Sequence, residues 1–196
     1  MIAIVDYGAG NLNSVKKAFA HLGVEAMVTG KLEAIAAADR VVFPGVGHFS
    51  SLRALDALGL RQSLLQAASA GKPFLGICLG MQWLFEGSAE STSVAGAGIF
   101  PGKCRQFPPS VKSPHVGWNS LKLSAPSRLL RNIGDDSFVY YTHSFHTPSV
   151  PEVTASSEYG SLFPAAVERG SVFGVQFHPE KSGEVGLAIL QAFSEV

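Results

Sequence analysis

Phe74-Leu75-Gly76-Ile77-Cys78-Leu79-Gly80-Met81-Gln82-Trp83-Leu84-Phe85 is the stretch on which the fold turns. Phe74–Ile77 is a short apolar run and predicts a buried strand; Leu79–Phe85 predicts a helix directly behind it. Between them, Gly76-Ile77-Cys78-Leu79-Gly80 has the nucleophile-elbow pattern, small-x-nucleophile-x-small, with a cysteine at its centre. Small residues flank the nucleophile because the turn is tight and strand and helix approach closely. A helix N-terminus beneath Cys78 would favour thiolate over thiol and offer backbone N–H groups to a developing oxyanion.

Working outward toward the N-terminus, the chain alternates strand and helix. Ile2–Val5 reads as a strand that stops at Asp6-Tyr7-Gly8-Ala9-Gly10-Asn11. Leu12, Val15, Phe19 and Leu22 recur at helical spacing, and Gly23 is placed to end that helix. Val24–Val28 and Val41–Phe43 read as strands, Leu52, Leu55 and Leu58 mark a helix, and Leu60–Ala70 predicts another that ends at Gly71. Toward the C-terminus the pattern shortens. Lys103–Phe107, Val116–Leu123, Phe138–Thr142, Ala165–Glu168 and Val172–Phe177 alternate with Pro and Gly, and Glu184–Phe193 predicts a last helix. The expected architecture is α/β, an open, mostly parallel sheet with helices on both faces plus antiparallel strands in the C-terminal half, in a single domain over residues 1–196.

Composition narrows the function. Over 196 residues, 15 Lys+Arg balance 15 Asp+Glu, so a broad phosphate-binding surface is not expected. Charged residues make up 15% of the chain, against about 25% in an average domain. No run approaches the ~20 apolar residues of a spanning helix, and the start of the chain lacks a basic signal-peptide n-region. Two cysteines, Cys78 and Cys104, make no disulfide framework, and no Cys/His cluster suggests a metal. A reducing cytoplasm is expected, with no cofactor and no metal.

A thiolate nucleophile needs an acid–base partner, and six histidines compete for the role. His21 lies on the first helix and reads as a surface residue, His48 follows a Pro-Gly-Val-Gly loop, His115 starts a strand, and His143 and His146 lie in an aromatic stretch. His178 ends the apolar run Phe173–Phe177 and is followed by Pro179 and Glu180. Residues two apart on an extended chain project to one side, so Glu180 can fix the imidazole as the third member of a triad. Cys104 has no such context and reads as a buried structural thiol. Pro44-Gly45-Val46-Gly47 ends the third strand, and its two glycines would let a peptide flip and present an N–H to negative charge. That loop and Cys78 would both lie beyond the carboxyl ends of the parallel strands, where open α/β sheets bind ligands.

Together these segments resemble the class I (triad) glutamine amidotransferases, over nearly the whole chain. The likeness is nearest to the branch that serves histidine biosynthesis. It is carried by Asp6–Asn11, Pro44-Gly45-Val46-Gly47-His48-Phe49, Gly76–Gln82, Pro114-His115-Val116-Gly117-Trp118-Asn119 and Val175-Gln176-Phe177-His178-Pro179-Glu180-Lys181-Ser182. The resemblance implies Cys78 as nucleophile toward glutamine, His178 as acid–base and Glu180 as its orienter. It implies an oxyanion hole from the N–H groups of Val46 and Leu79, and glutamine contacts at Gly47, Gln82, Ser144 and Phe145. It further implies a heterodimer with a (β/α)8-barrel cyclase that receives the ammonia, docked at Asn11, Trp118, Tyr140 and Lys181. From the residues alone, Asn11 also reads as a helix N-cap, Trp118 as core and Lys181 as a solvated charge. Two other readings are weaker. A relative feeding pyridoxal phosphate synthesis is disfavoured by Gly117-Trp118-Asn119 and Lys181-Ser182, and a silent binding module by the intact Cys, His and Glu. A thinly charged, apolar chain is also what a subunit shows when one face is covered by a partner.

Overall fold

The computed structural model describes residues 1–196. Its main sheet has eight strands, in the order Ala26–Thr29, Ile2–Val5, Arg40–Gly45, Phe74–Cys78, Val172–Val175, Leu162–Arg169, Val153–Glu158 and Lys122–Leu123. The first five run parallel and the last three extend the sheet antiparallel. Period-two alternation splits the parallel strands between two cores. Ile2 and Ile4 pack on one side with Val42, Leu75 and Ile77; Ala3 and Val5 pack on the other with Val41, Phe43 and Phe74. Helices Leu12–His21 and Gly183–Ser194 cover the first side, through Val15, Phe19, Ile189 and Phe193. Leu32–Ala37 and Leu60–Ser69 cover the second, through Ile35, Leu60 and Leu64. The α/β architecture expected from the alternation is the one observed.

Several elements differ from expectation for identifiable reasons. The Leu52/Leu55/Leu58 segment is a 3-10 turn, Phe49–Arg53, running into a single helical turn, Ala54–Ala57. Its third leucine, Leu58, is 53% exposed, so the apparent periodicity was not one buried face. The helix Leu32–Ala37 buries only Ile35 and carries too short a pattern to be legible. The run Val116–Leu123 is two strands. His115–Ser120 pairs with Phe138–His143 in a separate ribbon, and Lys122–Leu123 joins the edge of the main sheet. Lys103–Gln106 belongs to a small four-stranded sheet with Phe145–His146, Gly87–Ser88 and Ser91–Ala95. No helix is long and apolar enough to cross a membrane.

Candidate active site

Cys78 is the last residue of its strand and immediately precedes the helix Leu79–Trp83. Its φ of +54° with ψ of −107° is a rare conformation for a residue with a side chain, costing about 1–3 kcal/mol. Such strain persists only where the surroundings enforce it, and two glycines show how. A Cβ on Gly76 would stand 2.6 Å from the Gly80 carbonyl oxygen, and a Cβ on Gly80 would stand 1.8 Å from the Phe43 carbonyl oxygen. Strand, turn and neighbouring strand are therefore in backbone contact, and Cys78 is held at the crest. The helix behind it is only five residues long, shorter than the predicted Leu79–Phe85. A helix so short has little macrodipole, so its contribution is local, through unpaired N–H groups of the first turn such as that of Leu79.

His178 and Glu180 meet, but not as strand neighbours. The strand ends at Val175, and Pro179–Lys181 is a 3-10 turn that swings Glu180 back under the ring. His178 Nδ1 donates to Glu180 Oε1 at 2.8 Å, with side chains 1% and 0% exposed. That bond assigns the proton to Nδ1 and leaves Nε2 as the working nitrogen, which is buried and has no hydrogen-bond partner. Burial alone would disfavour the imidazolium, but attraction to Cys78 and to Glu180 outweighs it and holds His178 above its ordinary value. The backbone of His178 is fixed on both sides. Its N–H donates to the Tyr140 carbonyl at 2.9 Å, and its carbonyl accepts from Ser182 Oγ at 2.6 Å. Ser182 Oγ in turn accepts from the Tyr140 N–H at 3.0 Å. Ser182, singled out only as part of a motif, thus ties the histidine to the exposed ribbon.

A cleft of ≈ 260 Å³ opens beside Cys78, lined by Gly47, Leu79, Gln82, Ser144 and Phe145 among others. Five positions expected to serve one ligand therefore share one wall. Val46 is half-buried in the loop preceding Gly47, whose φ is +88°. Gln82 uses its amide NH2 on the Phe145 carbonyl at 2.8 Å and on Gln176 Oε1 at 3.2 Å. Its own Oε1 is the atom left for a ligand. The cleft also contains Glu90, which sequence reasoning passed over because it lies in an unremarkable Ala-Glu-Ser turn. Glu90 accepts from the Phe49 N–H at 2.7 Å and is the one carboxylate lining the cleft.

The other histidines are accounted for, and His146, fully buried, donates from Nδ1 to the Thr147 carbonyl at 2.9 Å. His21 and His48 are exposed; His48 Nδ1 accepts the Ser50 N–H at 3.1 Å and caps the following turn. His115 stacks on Tyr141 and Tyr159 with ring centroids 4.9 and 4.0 Å away. His143 donates from Nδ1 to the Phe145 carbonyl at 2.9 Å. Burial pulls His115 down to about 4 and His143 down to about 3, so both are neutral in the fold. A histidine kept neutral when folded but free to charge when unfolded contributes stability above its ordinary value and loses it as pH falls toward the folded one. For His143 that window runs from 6.5 to about 3. At pH 5 the loss is about 2 kcal/mol from this residue. The fall in unfolding free energy between pH 7 and pH 5 should therefore be smaller by about that amount in His143→Leu, measured by urea denaturation; an equal fall in both proteins would show that His143 is not the group responsible.

Asn11, Trp118, Tyr140 and Lys181 lie near one another. The Lys181 Nζ sits 5.7 Å from the centre of the Tyr140 ring, and Trp118 meets Tyr140 edge-on at 6.0 Å. Trp118 is 55% exposed, so it is not core. Asn11 stands at the N-cap position but its side chain caps no backbone N–H. Its Nδ2 reaches Glu180 Oε1 at 3.4 Å, and its Oδ1 accepts from Ser14 Oγ at 2.8 Å. Cys104 is buried behind Gln82, donates to its carbonyl at 3.8 Å, and burial pushes its thiol up, so it is an inert thiol as expected.

The family model "Glutamine amidotransferase class-I" matches residues 3–195. This chain belongs to the class-I glutamine amidotransferase family. Within the family, this amidotransferase is 46% identical over 198 residues to the imidazole glycerol phosphate synthase subunit HisH of Bacillus cereus, covering 100% of this chain and 95% of that protein. It is 46% identical over 197 residues to HisH of Methanothermobacter thermautotrophicus, covering 100% and 98%. Among solved structures, one described as a glutamine amidotransferase matches with a TM-score of 0.78 over 100% of both chains, at 18% identity. PurLQS from Thermotoga maritima matches at 0.75, over 98% of this chain and 96% of that one, at 21% identity. The fold is thus shared with structures only 18% and 21% identical to this chain.

Proposed function

We propose that this amidotransferase is the glutaminase subunit of an imidazole glycerol phosphate synthase. It hydrolyses glutamine to glutamate at Cys78 and passes the ammonia to a (β/α)8-barrel cyclase subunit, which makes imidazole glycerol phosphate and aminoimidazole carboxamide ribotide. The observation that supports it most is the convergence of one strained cysteine, one glutamate-anchored histidine and one small polar cleft at the carboxyl ends of the parallel strands. Glutamine carries a free α-ammonium, and Glu90 is the carboxylate in the cleft to receive it.

In this reading the Cys78 thiolate attacks the side-chain amide carbon of glutamine. The S–C bond forms and the carbonyl electrons move to oxygen, where the N–H groups of Leu79 and Val46 receive the charge. His178, holding the thiol proton on Nε2 opposite its bond to Glu180, delivers it to the departing nitrogen, and the C–N bond breaks. Water then adds to the thioester, giving a proton to His178; the C–S bond breaks and glutamate leaves.

The partner face is the ribbon His115–Ser120 with Phe138–His143. Cross-strand pairs share a face, so Val116, Trp118, Phe138 and Tyr140 point the same way, opposite the buried His115, Val139, Tyr141 and His143. Val116, Trp118 and Phe138 are each more than half exposed, an apolar patch suited to a covered interface. Co-expression with a barrel cyclase and parallel assays with glutamine and with ammonium test the proposal. The chains should co-purify, both nitrogen sources should support turnover, and glutamine hydrolysis by the isolated chain should be far slower because the Pro44–Gly47 loop must flip. A complex that uses ammonium but never glutamine would overturn the glutaminase role, and failure to co-purify would overturn the partner.

A further inference from the structure

Gln176 is fully buried beside the nucleophile and has no part in the chemistry described so far. Its Nε2 lies 3.7 Å from Cys78 Sγ and its Oε1 lies 3.2 Å from Gln82 Nε2. The direction of this amide follows from its neighbours. Gln82 binds the Phe145 carbonyl at 2.8 Å, and a backbone carbonyl can only accept, so Gln82 must present its NH2 there. The same NH2 reaches Gln176, which must answer with its oxygen, and the Gln176 NH2 is thereby turned toward sulfur. The His143 Nδ1–H, also on the Phe145 carbonyl, holds the far end of the chain in place. Buried donors are normally satisfied, and the acceptor recorded for this one is the sulfur.

We propose that Gln176 is a catalytic residue, donating an N–H to the Cys78 sulfur and stabilising it as thiolate. The proposal rests on Cys78 being the nucleophile. A charged sulfur accepts an N–H more strongly than a neutral thiol does. Gln176 keeps its proton throughout. Its hydrogen bond weakens as the S–C bond forms and is restored when the C–S electrons return to sulfur on opening of the thioester. The donor therefore serves both the resting nucleophile and the leaving group of the second half-reaction. The titratable groups around the sulfur are His178, the buried phenol of Tyr7, and Glu90 and His143 in the same cleft, and none of them is altered in the test.

Cys78 alkylation by iodoacetamide, followed site by site by mass spectrometry across pH, reads the thiolate directly. In Gln176→Leu the midpoint should move up by about one pH unit and the rate at pH 7 should fall about tenfold, the size of one charge-assisted hydrogen bond. Glutamine-dependent kcat of the complex should fall by a similar factor. Gln176→Glu keeps the shape but turns a carboxylate toward sulfur, and the midpoint should move further. Co-purification with the barrel subunit shows that each variant is folded, and turnover with ammonium shows that the partner's chemistry is intact. An unchanged alkylation profile in the isosteric Glu variant would overturn the proposal, even if KM for glutamine rose, since that would mean Gln176 only props Gln82. Glutamine use surviving in Cys78→Ala would instead overturn the reading of the site, a separate outcome.

Discussion

Cys78→Ala is expected to lower glutamine-dependent turnover of the assembled enzyme on the order of 10⁴-fold or more, because no second thiol lines the cleft. His178→Asn should lose nearly as much. Its Nε2 is a buried nitrogen without a partner, and the other histidine lining the cleft, His143, is pulled down to about 3 by burial, too weak a base to replace it. Residues that act as one unit are not additive, so the double variant should be scarcely worse than either single one. Co-purification with the partner separates chemistry from folding, and turnover with ammonium, which bypasses the cleft, shows that the partner is active. Loss of both routes and of co-purification in His178→Asn would mean that the histidine is structural, acting through its side-chain bond to Glu180. Labelling by a glutamine-mimicking alkylator should fall on Cys78, and labelling confined to Cys104 would reverse the assignment.

Gly80→Ala should be among the most destabilising single substitutions in the chain. The added Cβ would stand 1.8 Å from the Phe43 carbonyl oxygen and 3.0 Å from its carbon. Phe43 lies in the middle of the parallel sheet, paired with Gly76, so the obstruction is backbone that cannot rotate away. The expected cost is at least about 3 kcal/mol, seen as a fall in Tm of roughly 6–12 °C or as insoluble protein. Gly71→Ala makes the comparison: its Cβ meets nothing within 4 Å, and it bears only the strain of a φ of +78°. A Gly80→Ala protein within 1 kcal/mol of the parent, on the order of an ordinary surface change, would show that the elbow does not press on Phe43.

The two predictions differ in what could be known before the structure. Cys78 was legible because a nucleophile elbow is a local object: strand, glycine, cysteine, glycine and helix follow within a dozen residues. Most of the parallel half of the sheet was legible for the same reason: Ile2–Val5, Phe74–Cys78 and Val172–Val175 are short runs with every residue buried, whereas the edge strand Ala26–Thr29 buries only Thr29. His178 was legible through its nearness to Glu180, although the contact comes from a 3-10 turn and not from an extended chain. Glu90 and Gln176 were not legible as site residues. Glu90 reaches the cleft from a hairpin, and Gln176 meets Cys78 from 98 positions away. Neither residue type in its local context points to chemistry, because a single amide or carboxylate acquires its role from what it faces.

The amino-acid order by itself determined the elements whose physical cause is local. These are the apolar strands, the helices that end at Gly23 and Gly71, the glycines that admit a tight turn, and the cysteine at its crest. Tertiary structure alone decided which way the buried amides point, which histidines stay neutral and which apolar side chains remain uncovered. Val116, Trp118 and Phe138 are apolar in sequence exactly as core residues are, and only the pairing of their ribbon turns them outward while Tyr141 and His143 turn in. Orientation of a hydrogen bond and exposure of a face are properties of pairs of distant segments, set by chain closure, and no local pattern carries them.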